Sequence, residues 1–434
     1  MSELPPGWAT ATISDLCGKP QYGWTTKAAK TGVLQLLRTT DITRGPIDWN
    51  SVPWSAKEPP NRQQFLLRSG DIVVSRAGSV GVSAMVHDPR PAVFASYLMR
   101  LRPAEEVSGR FIAWFLQAPN FWRQVERASA GIALQNINAT KLAAFQMPLP
   151  PLAEQRRIVA AIEEQFSRLE NGTRTLVLAR RRLEGLARQI IRDAFSEDWP
   201  QHELVHITNP TRPICYGILK PRTVGELVIP YIEVRSIKAG RIDLESLHRT
   251  TQELHDQFRR SALSPGDVVL AIRGSFDRAA VVPAELVGAN VSRDVARIAP
   301  LQDLDPAYLA HYLAGPDAFR YFAAAARGVG VRGVNIGDLR RMPIPLPPLA
   351  DQRRIVAELE QQLSLIDALR AAVESAQKRS AALRRAILER ALRGELVPQD
   401  PADEPASVLL ERIRADRAAA PARPSRRRAT METS

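Results

Sequence analysis

Residues able to do acid–base, nucleophilic or metal chemistry occur along this chain of 434 residues, but none stands at a spacing that such chemistry needs. Gly18-Lys19 is followed by Pro20, so no GxxxxGK[ST] loop cradles a phosphate. No GxGxxG opens a helix after a strand. Asn209-Pro210-Thr211-Arg212 lacks the Asn/Asp-Pro-Pro-aromatic segment that an amino-methyltransferase requires. His202 and His206 are four apart, yet Pro200, Asn209 and Pro210 argue against a helix there, which leaves two surface histidines and no metal pair. Glu105-Glu106 and Glu163-Glu164 read as solvated faces. Cys17 and Cys215 belong to no CxxC and read as small buried apolar residues in a reducing compartment. The expectation is a chain with no catalytic residue, no metal and no cofactor of its own.

What the sequence does offer is contact chemistry. The run Gly70-Asp71-Ile72-Val73-Val74-Ser75-Arg76-Ala77-Gly78-Ser79 and the run ending Arg273-Gly274-Ser275 carry Arg and Ser from a β-branched segment into a Gly-containing loop. Gln135-Asn136-Ile137-Asn138 and Arg332-Gly333-Val334-Asn335 form a second pair of polar loops. Arg is the usual bidentate reader of guanine, and Ser, Asn and Gln read bases or hold phosphates. The candidate DNA-contacting set in the first half is therefore Tyr22, Lys27, Arg38, Arg44, Arg76, Ser79, Gln135, Asn136 and Asn138. In the second half it is Tyr216, Lys220, Arg235, Lys238, Arg273, Ser275, Arg278, Arg332 and Asn335.

The elements that must hold these loops are duplicated. Pro148 to Ala160 reads PLPPLAEQRRIVA and Pro345 to Ala357 reads PLPPLADQRRIVA, an offset of 197. Upstream the match continues with drifting offset. Pro119 meets Pro316, the Gly70-Asp71 run meets Gly266-Asp267 at 196, and Tyr22-Gly23 meets Tyr216-Gly217 at 194. Single-residue changes in surface loops explain the drift. The fold class expected is α+β, with two tandem globular halves related by a pseudo-two-fold.

Within each half, residues 71–75, 267–271, 34–38 and 229–234 read as strands. Residues 110–126 and 307–325 each have helical spacing. After Leu152 no proline appears until Pro200. Val159, Ile162, Phe166, Leu169, Thr173, Leu176, Arg180, Leu183, Ala187, Ile190 and Ala194 follow strict 3,4 spacing, a coiled-coil seam. A helix of this length spans roughly 65 Å. The second copy gives Leu359, Leu363, Ile366, Leu369, Val373, Ala376, Ser380, Leu383 and Ile387, with a register shift at the 3,3 step Ile366–Leu369. Two such stripes in one chain invite an antiparallel pair, the alternative being that each helix packs on its own globular half. Beyond Gly394, residues 404–418 read as a short amphipathic helix and Arg423 to Ser434 as a disordered basic end. The boundaries expected are 1–150, 151–196, 197–346, 347–396 and 397–434.

The net charge of +13 is uneven. Residues 1–153 carry 16 basic against 10 acidic side chains, net +6, whereas residues 195–350 carry 18 against 17, net +1. The surplus favours a polyanionic partner through counterion release. The start has no basic region followed by an apolar one, and no run of 18 uncharged apolar residues occurs, so a cytoplasmic protein is expected.

These residues carry a resemblance. Leu4-Pro5-Pro6-Gly7-Trp8, the Gly-Asp-Ile/Val-Val runs, the doubled proline motif, Glu395-Leu396-Val397-Pro398 and Glu404-Pro405-Ala406-Ser407-Val408-Leu409-Leu410 resemble the specificity subunit of Type I restriction–modification systems over roughly residues 3–418. The resemblance implies that each globular half is a target recognition domain reading one half of a split DNA target. It implies that the paired long helices are spacers fixing the gap. Two methyltransferase subunits would bind this chain and restriction subunits would join them. S-adenosylmethionine would belong to the methyltransferase, ATP and magnesium to the restriction subunit. The motif residues Pro150, Pro151, Leu152, Gln155, Arg156, Pro347, Pro348, Leu349, Gln352 and Arg353 would dock the partners. A structural adaptor without direct DNA readout is the alternative, and a nuclease or methyltransferase in its own right is disfavoured by the missing motifs.

Overall fold

A computed structural model describes residues 4–43, 45–129, 136–220, 224–238, 240–326 and 333–419. The chain forms two compact units, residues 1–174 with 377–434, and residues 175–376.

In the first unit, Ile72–Ser75 is one of two inner strands of an antiparallel sheet ordered Gln21–Tyr22, Leu98–Leu101, Ile72–Ser75, Ser83–Met85. All four residues of this inner strand are buried. Ile72 and Val74 face the main core with Phe111 and Phe121, while Val73 faces a second core with Val86 and Phe94. A strand covered on both faces reads as a continuous apolar run, which is why it was legible. The turn before it needs Gly70 at φ +89°, and Asp71 locks that turn by accepting the Arg68 amide at 3.0 Å. A second sheet joins Ala28–Ala29, Trp54–Ser55, Gln35–Leu37 and Ala92–Phe94, its last pair parallel. Ala9–Thr12 pairs with Gln146–Leu149, so the proline motif begins as a strand.

The second unit repeats this plan. Its sheet runs Cys215–Tyr216, Val295–Ile298, Val268–Ala271, Ala279–Val281. Val268 and Leu270 face one core and Val269 another. Ile229–Ile232 pairs in parallel with Asn290–Val291, as Gln35–Leu37 does with Ala92–Phe94. Gln201–Glu203, which includes His202, pairs with Pro343–Pro345, and His206 lies in a short 3-10 turn.

Two sequence expectations need correction. Residues 110–126 and 307–325 are not single helices. They are Gly109–Phe115 then Pro119–Ser129, and Pro306–Leu313 then Pro316–Ala325. Pro119 and Pro316 lack the amide that would continue the first helix and instead open the second. The long helices run Leu152–Ala194 and Leu349–Leu392, 43 and 44 residues. In the first unit they run antiparallel: Phe166 lies under Arg384, 4.2 Å from the ring centroid, while Thr173 meets Ser380 at 3.1 Å between hydroxyls. The register shift expected at Ile366–Leu369 is absent. Leu369 and Leu383 are 44% and 51% exposed, whereas Ile366, Ile387 and Ala391 are buried and Arg370, Val373, Gln377 and Ser380 half-buried. With Arg384 that series keeps unbroken 3,4 spacing. Arginine stems fill seam positions and send their charged ends outward.

The helix Ala406–Ala419 closes the first unit, its Leu409, Leu410 and Ile413 buried in the core that holds Ile13, Leu16 and Cys17. The Ala406 amide donates to Gly7 O at 2.8 Å, and Arg414 pairs with Asp15 at 3.1 Å. Residues 423–434 lie outside the described residues.

Candidate nucleic-acid interface

Each unit brings its two polar loops together. In the first, Ala77 and Asn136 form an antiparallel bridge and the Ile137 amide donates to Arg76 O at 3.1 Å. This places Arg76 over the Tyr22 ring, 4.7 Å from its centroid, with Nε donating to Asn136 Oδ1 at 3.4 Å. The Tyr22 hydroxyl is itself fixed by the Ala139 amide at 2.8 Å. Among the described residues no carboxylate lies within ion-pair distance of Arg76. It is a positioned cation with unused donors, the arrangement a bidentate acceptor requires. Ser79 is exposed on the same loop. Asn138 caps the helix Ala139–Ala143 by accepting the Lys141 amide at 2.8 Å, so part of its capacity is spent on architecture.

The second unit forms the equivalent bridge between Arg273 and Gly333, and the Val334 amide donates to Ile272 O at 2.9 Å. The bridges show that Arg273 corresponds to Ala77, not to Arg76. The Arg76 position holds Ile272, which is buried. The two arginines therefore leave their strands on opposite faces, and the recurrence seen in sequence is one of loop type, not of residue. Asn136 is replaced by Gly333, whose missing side chain makes room for Arg273: a Cβ there would lie 3.1 Å from Arg273 Cγ. Arg273 also stands 3.6 Å from Asp294. Asn335 precedes the helix Ile336–Arg340 but its side chain makes no capping bond.

Other candidate cations are more constrained. Arg38 is bound through two nitrogens to Asp41 at 2.8 and 3.0 Å, which raises the guanidinium further above its ordinary range. Arg235 pairs with Glu233 at 2.8 Å and contacts His248. Lys238 pairs with Asp243 at 2.6 Å. Arg278 donates to Val234 O at 3.1 Å and Ser275 is half-buried in the same loop. Lys27, Lys220 and Tyr216 are exposed. Lys220 lines a concavity of about 630 Å³ with Arg235, Arg293 and Asp294. Arg44, Gln135 and Arg332 lie outside the described residues. Arg293, Asp294 and Tyr97, which flank these loops, had no sequence signal, because Tyr97 and Asp294 occupy matching positions with unlike side chains.

The motif residues divide by exposure. Gln155 and Gln352 are fully buried. Gln155 accepts the Ser108 amide at 3.0 Å and donates to Pro150 O at 2.9 Å. Gln352 accepts the Asp305 amide at 2.8 Å and donates to Asp303 O and Pro347 O at 2.9 and 2.8 Å. Each amide ties the start of a head helix to the start of a long helix and is fully buried, so both residues serve as internal clamps. Pro150, Pro151 and Pro347 are also buried, and Leu152 and Leu349 half-buried. Arg156, Pro348 and Arg353 are exposed.

Among the described residues no group of three or more His, Cys, Asp or Glu could hold a metal ion, and no helix is long and apolar enough to cross a membrane. Two copies of one α+β head, each presenting a paired Arg-and-amide loop set, define a double-headed binding protein. The family model for the Type I restriction modification DNA specificity domain matches residues 5–179 and 215–375, and the chain belongs to that family. It is similar to the EcoBI specificity subunit of Escherichia coli, 26% identical over 419 residues covering 88% of this chain and 86% of the relative. It is also similar to the EcoKI specificity subunit of Escherichia coli strain K12, 25% identical over 463 residues covering 96% and 97%. Among solved structures, one described for complex assembly and conformational transition of the type I R-M system has a TM-score of 0.73 at 22% identity, covering 91% of this chain and all of that one. The HsdS subunit from Thermoanaerobacter tengcongensis gives 0.54 at 22%, covering 91% and 98%. Membership makes this chain a DNA-recognition subunit of a restriction–modification complex, with catalysis on other subunits.

Proposed function

We propose that each head reads one half of a bipartite duplex target, with Arg76, Tyr22 and Asn136 central in the first and Arg273 in the second. The observation that carries this reading is the loop pair itself, built twice by the same bridge from different residues. Residues 1–150 and 197–346 are the recognition domains and 151–196 and 347–396 the spacers. The spacers set the unread gap, and half-sites demand fixed helical phasing. Two methyltransferase subunits dock on the exposed flanks of the long helices, where Leu365, Leu369 and Leu383 stand in water, and on Arg156 and Arg353. Restriction subunits join that core in the cytoplasm. S-adenosylmethionine is bound by the methyltransferase, which methylates adenine, and ATP and magnesium by the restriction subunit. Methylome sequencing of the host with and without this gene tests the reading. The expected result is one bipartite methylated sequence that disappears with the gene. Retention of every methylated motif, or methyl transfer by the purified chain alone, overturns it.

A further inference from the structure

We infer that Tyr97 and Asp294, at one equivalent position of the two heads, set which bases each head prefers; this rests on the proposed reading of the heads. Tyr97 ends the turn between Ala92–Phe94 and Leu98–Leu101, and Asp294 the turn between Asn290–Val291 and Val295–Ile298. The backbones of the two turns are held alike. Tyr97 O accepts the Arg76 amide at 2.9 Å and Asp294 O accepts the Ile272 amide at 2.9 Å. Leu98 N donates to Ala95 O at 2.8 Å, and Val295 N to Ser292 O at 3.2 Å. Trp24 and Ile218 bridge Ala95 and Ser292 in the same parallel sense.

The duplicated Tyr-Gly pair serves this turn. A Cβ on Gly23 would lie 2.2 Å from Ala95 O, and one on Gly217 would lie 1.9 Å from Val291 O. Only glycine lets the strand abut the turn so closely. One frame is thus preserved beside the loop pair in both heads, while the side chain it presents is as different as an aromatic ring and a carboxylate. A position with fixed backbone and free side chain is where specificity can change without changing the fold.

The chemistry differs accordingly. Tyr97 is 62% exposed and next to Arg76 in space, and its ring offers an apolar face to a thymine methyl. Asp294 Oδ1 is buried 3.6 Å from Arg273 Nε and 3.7 Å from Arg293 Nε and among the described residues accepts no hydrogen bond, while the side chain as a whole is 38% exposed. The carboxylate is thus presented beside two cations. A carboxylate in that state accepts from the amino group of cytosine, with Arg273 beside it suited to guanine.

The test uses the assembled methyltransferase complex and a panel of duplexes in which each base pair of both half-sites is replaced in turn. Asp294→Asn should flatten discrimination at a G·C pair of the second half-site by about tenfold and leave the first half-site profile unchanged. Replacing thymine by deoxyuridine, which lacks only the methyl, should weaken methyl transfer by wild type at one position of the first half-site. Tyr97→Ala should lose that sensitivity and Tyr97→Phe, which keeps the ring, should retain it. The same base profile in all variants as in wild type overturns the inference. A wild-type complex with no bipartite preference overturns the reading of the heads instead, and the wild-type row of the panel separates the two.

Discussion

At the scale of single residues, the two heads solve one problem with different side chains. The Gly-Asp turn buries Asp71 and Asp267, each 2% exposed, and each needs a cation. Asp71 takes Arg102, at 2.8 and 3.0 Å; Asp267 takes Arg212, at 2.7 and 2.6 Å. These arginines come from opposite ends of the repeat, so no alignment of the copies reveals the equivalence. Arg212→Met should cost about 3 kcal/mol, because it strips a buried carboxylate of its cation. Arg102→Met should cost less, about 2 kcal/mol, since Arg102 is 40% exposed and Arg100 stays 3.8 Å from Asp71. Denaturant titration of both variants checks the order. Glu154 gives a pH dependence. It is buried, its Oε2 accepts the Trp8 indole N–H at 2.9 Å, and Oε1 has no partner among the described residues. Burial pushes its carboxyl above the ordinary range, although Trp8 and Arg157 pull the other way. A raised carboxyl favours the fold while protonated, and that contribution is lost as pH rises through its folded value. Glu154→Gln, which cannot ionise, should therefore gain in melting temperature relative to wild type from pH 4 to pH 8. A gap that stays flat or narrows would show that the buried charge is compensated.

At the scale of elements, what could be read was periodicity, and what could not was compensation between elements. The inner strands Ile72–Ser75 and Val268–Ala271 and both long helices follow from apolar pattern and proline placement alone. Strands of two residues, such as Gln21–Tyr22, carry no pattern and exist because a neighbouring strand supplies the ladder. The loop pair was legible as two loops, but their meeting depends on a bridge 59 residues apart in sequence, Ala77 to Asn136. Reading the seam by hydrophobicity chose Leu369 and Leu383 over Arg370 and Arg384, because an arginine's apolar stem counts as polar in such a scan. Leu369→Ala should change stability by about 0.5 kcal/mol or less, whereas Ile366→Ala, three residues away and buried, should cost about 2–4 kcal/mol. Equal costs would restore the register shift. Gln155→Ala and Gln352→Ala should each cost about 1–3 kcal/mol by leaving buried amides and carbonyls unpaired. Hydrogen exchange would place the loss at the Ser108 and Asp305 amides, where each clamp ends.

At the scale of the whole molecule, duplication gave each unit its own cores, but only the first unit is closed by the chain's last described helix. Leu409, Leu410 and Ile413 cover Ile13, Leu16 and Cys17, and Arg414 and Arg417 reach Asp15 and Ser14 O. In the second unit the residues corresponding to Ile13 and Leu16, Leu204 and Ile207, are buried in that unit's own core. Burial pushes the Cys17 thiol up to about 12, against a weaker opposing pull from Arg417, so at pH 8 it is both shielded and unreactive. Truncation after residue 405 removes the cover without touching unit two. Apolar surface of the first core then meets water, at about 25 cal/mol per Å² exposed. The truncated chain should unfold in two thermal steps, the earlier one belonging to residues 1–174 and 377–405. Cys17 should become alkylated by iodoacetamide at pH 8 before that step, as read by mass spectrometry of its peptide. Cys215 lies in the other unit and should keep its wild-type rate, which makes it the internal control. Equal protection of Cys17 in full-length and truncated chains would mean that the core closes without this helix.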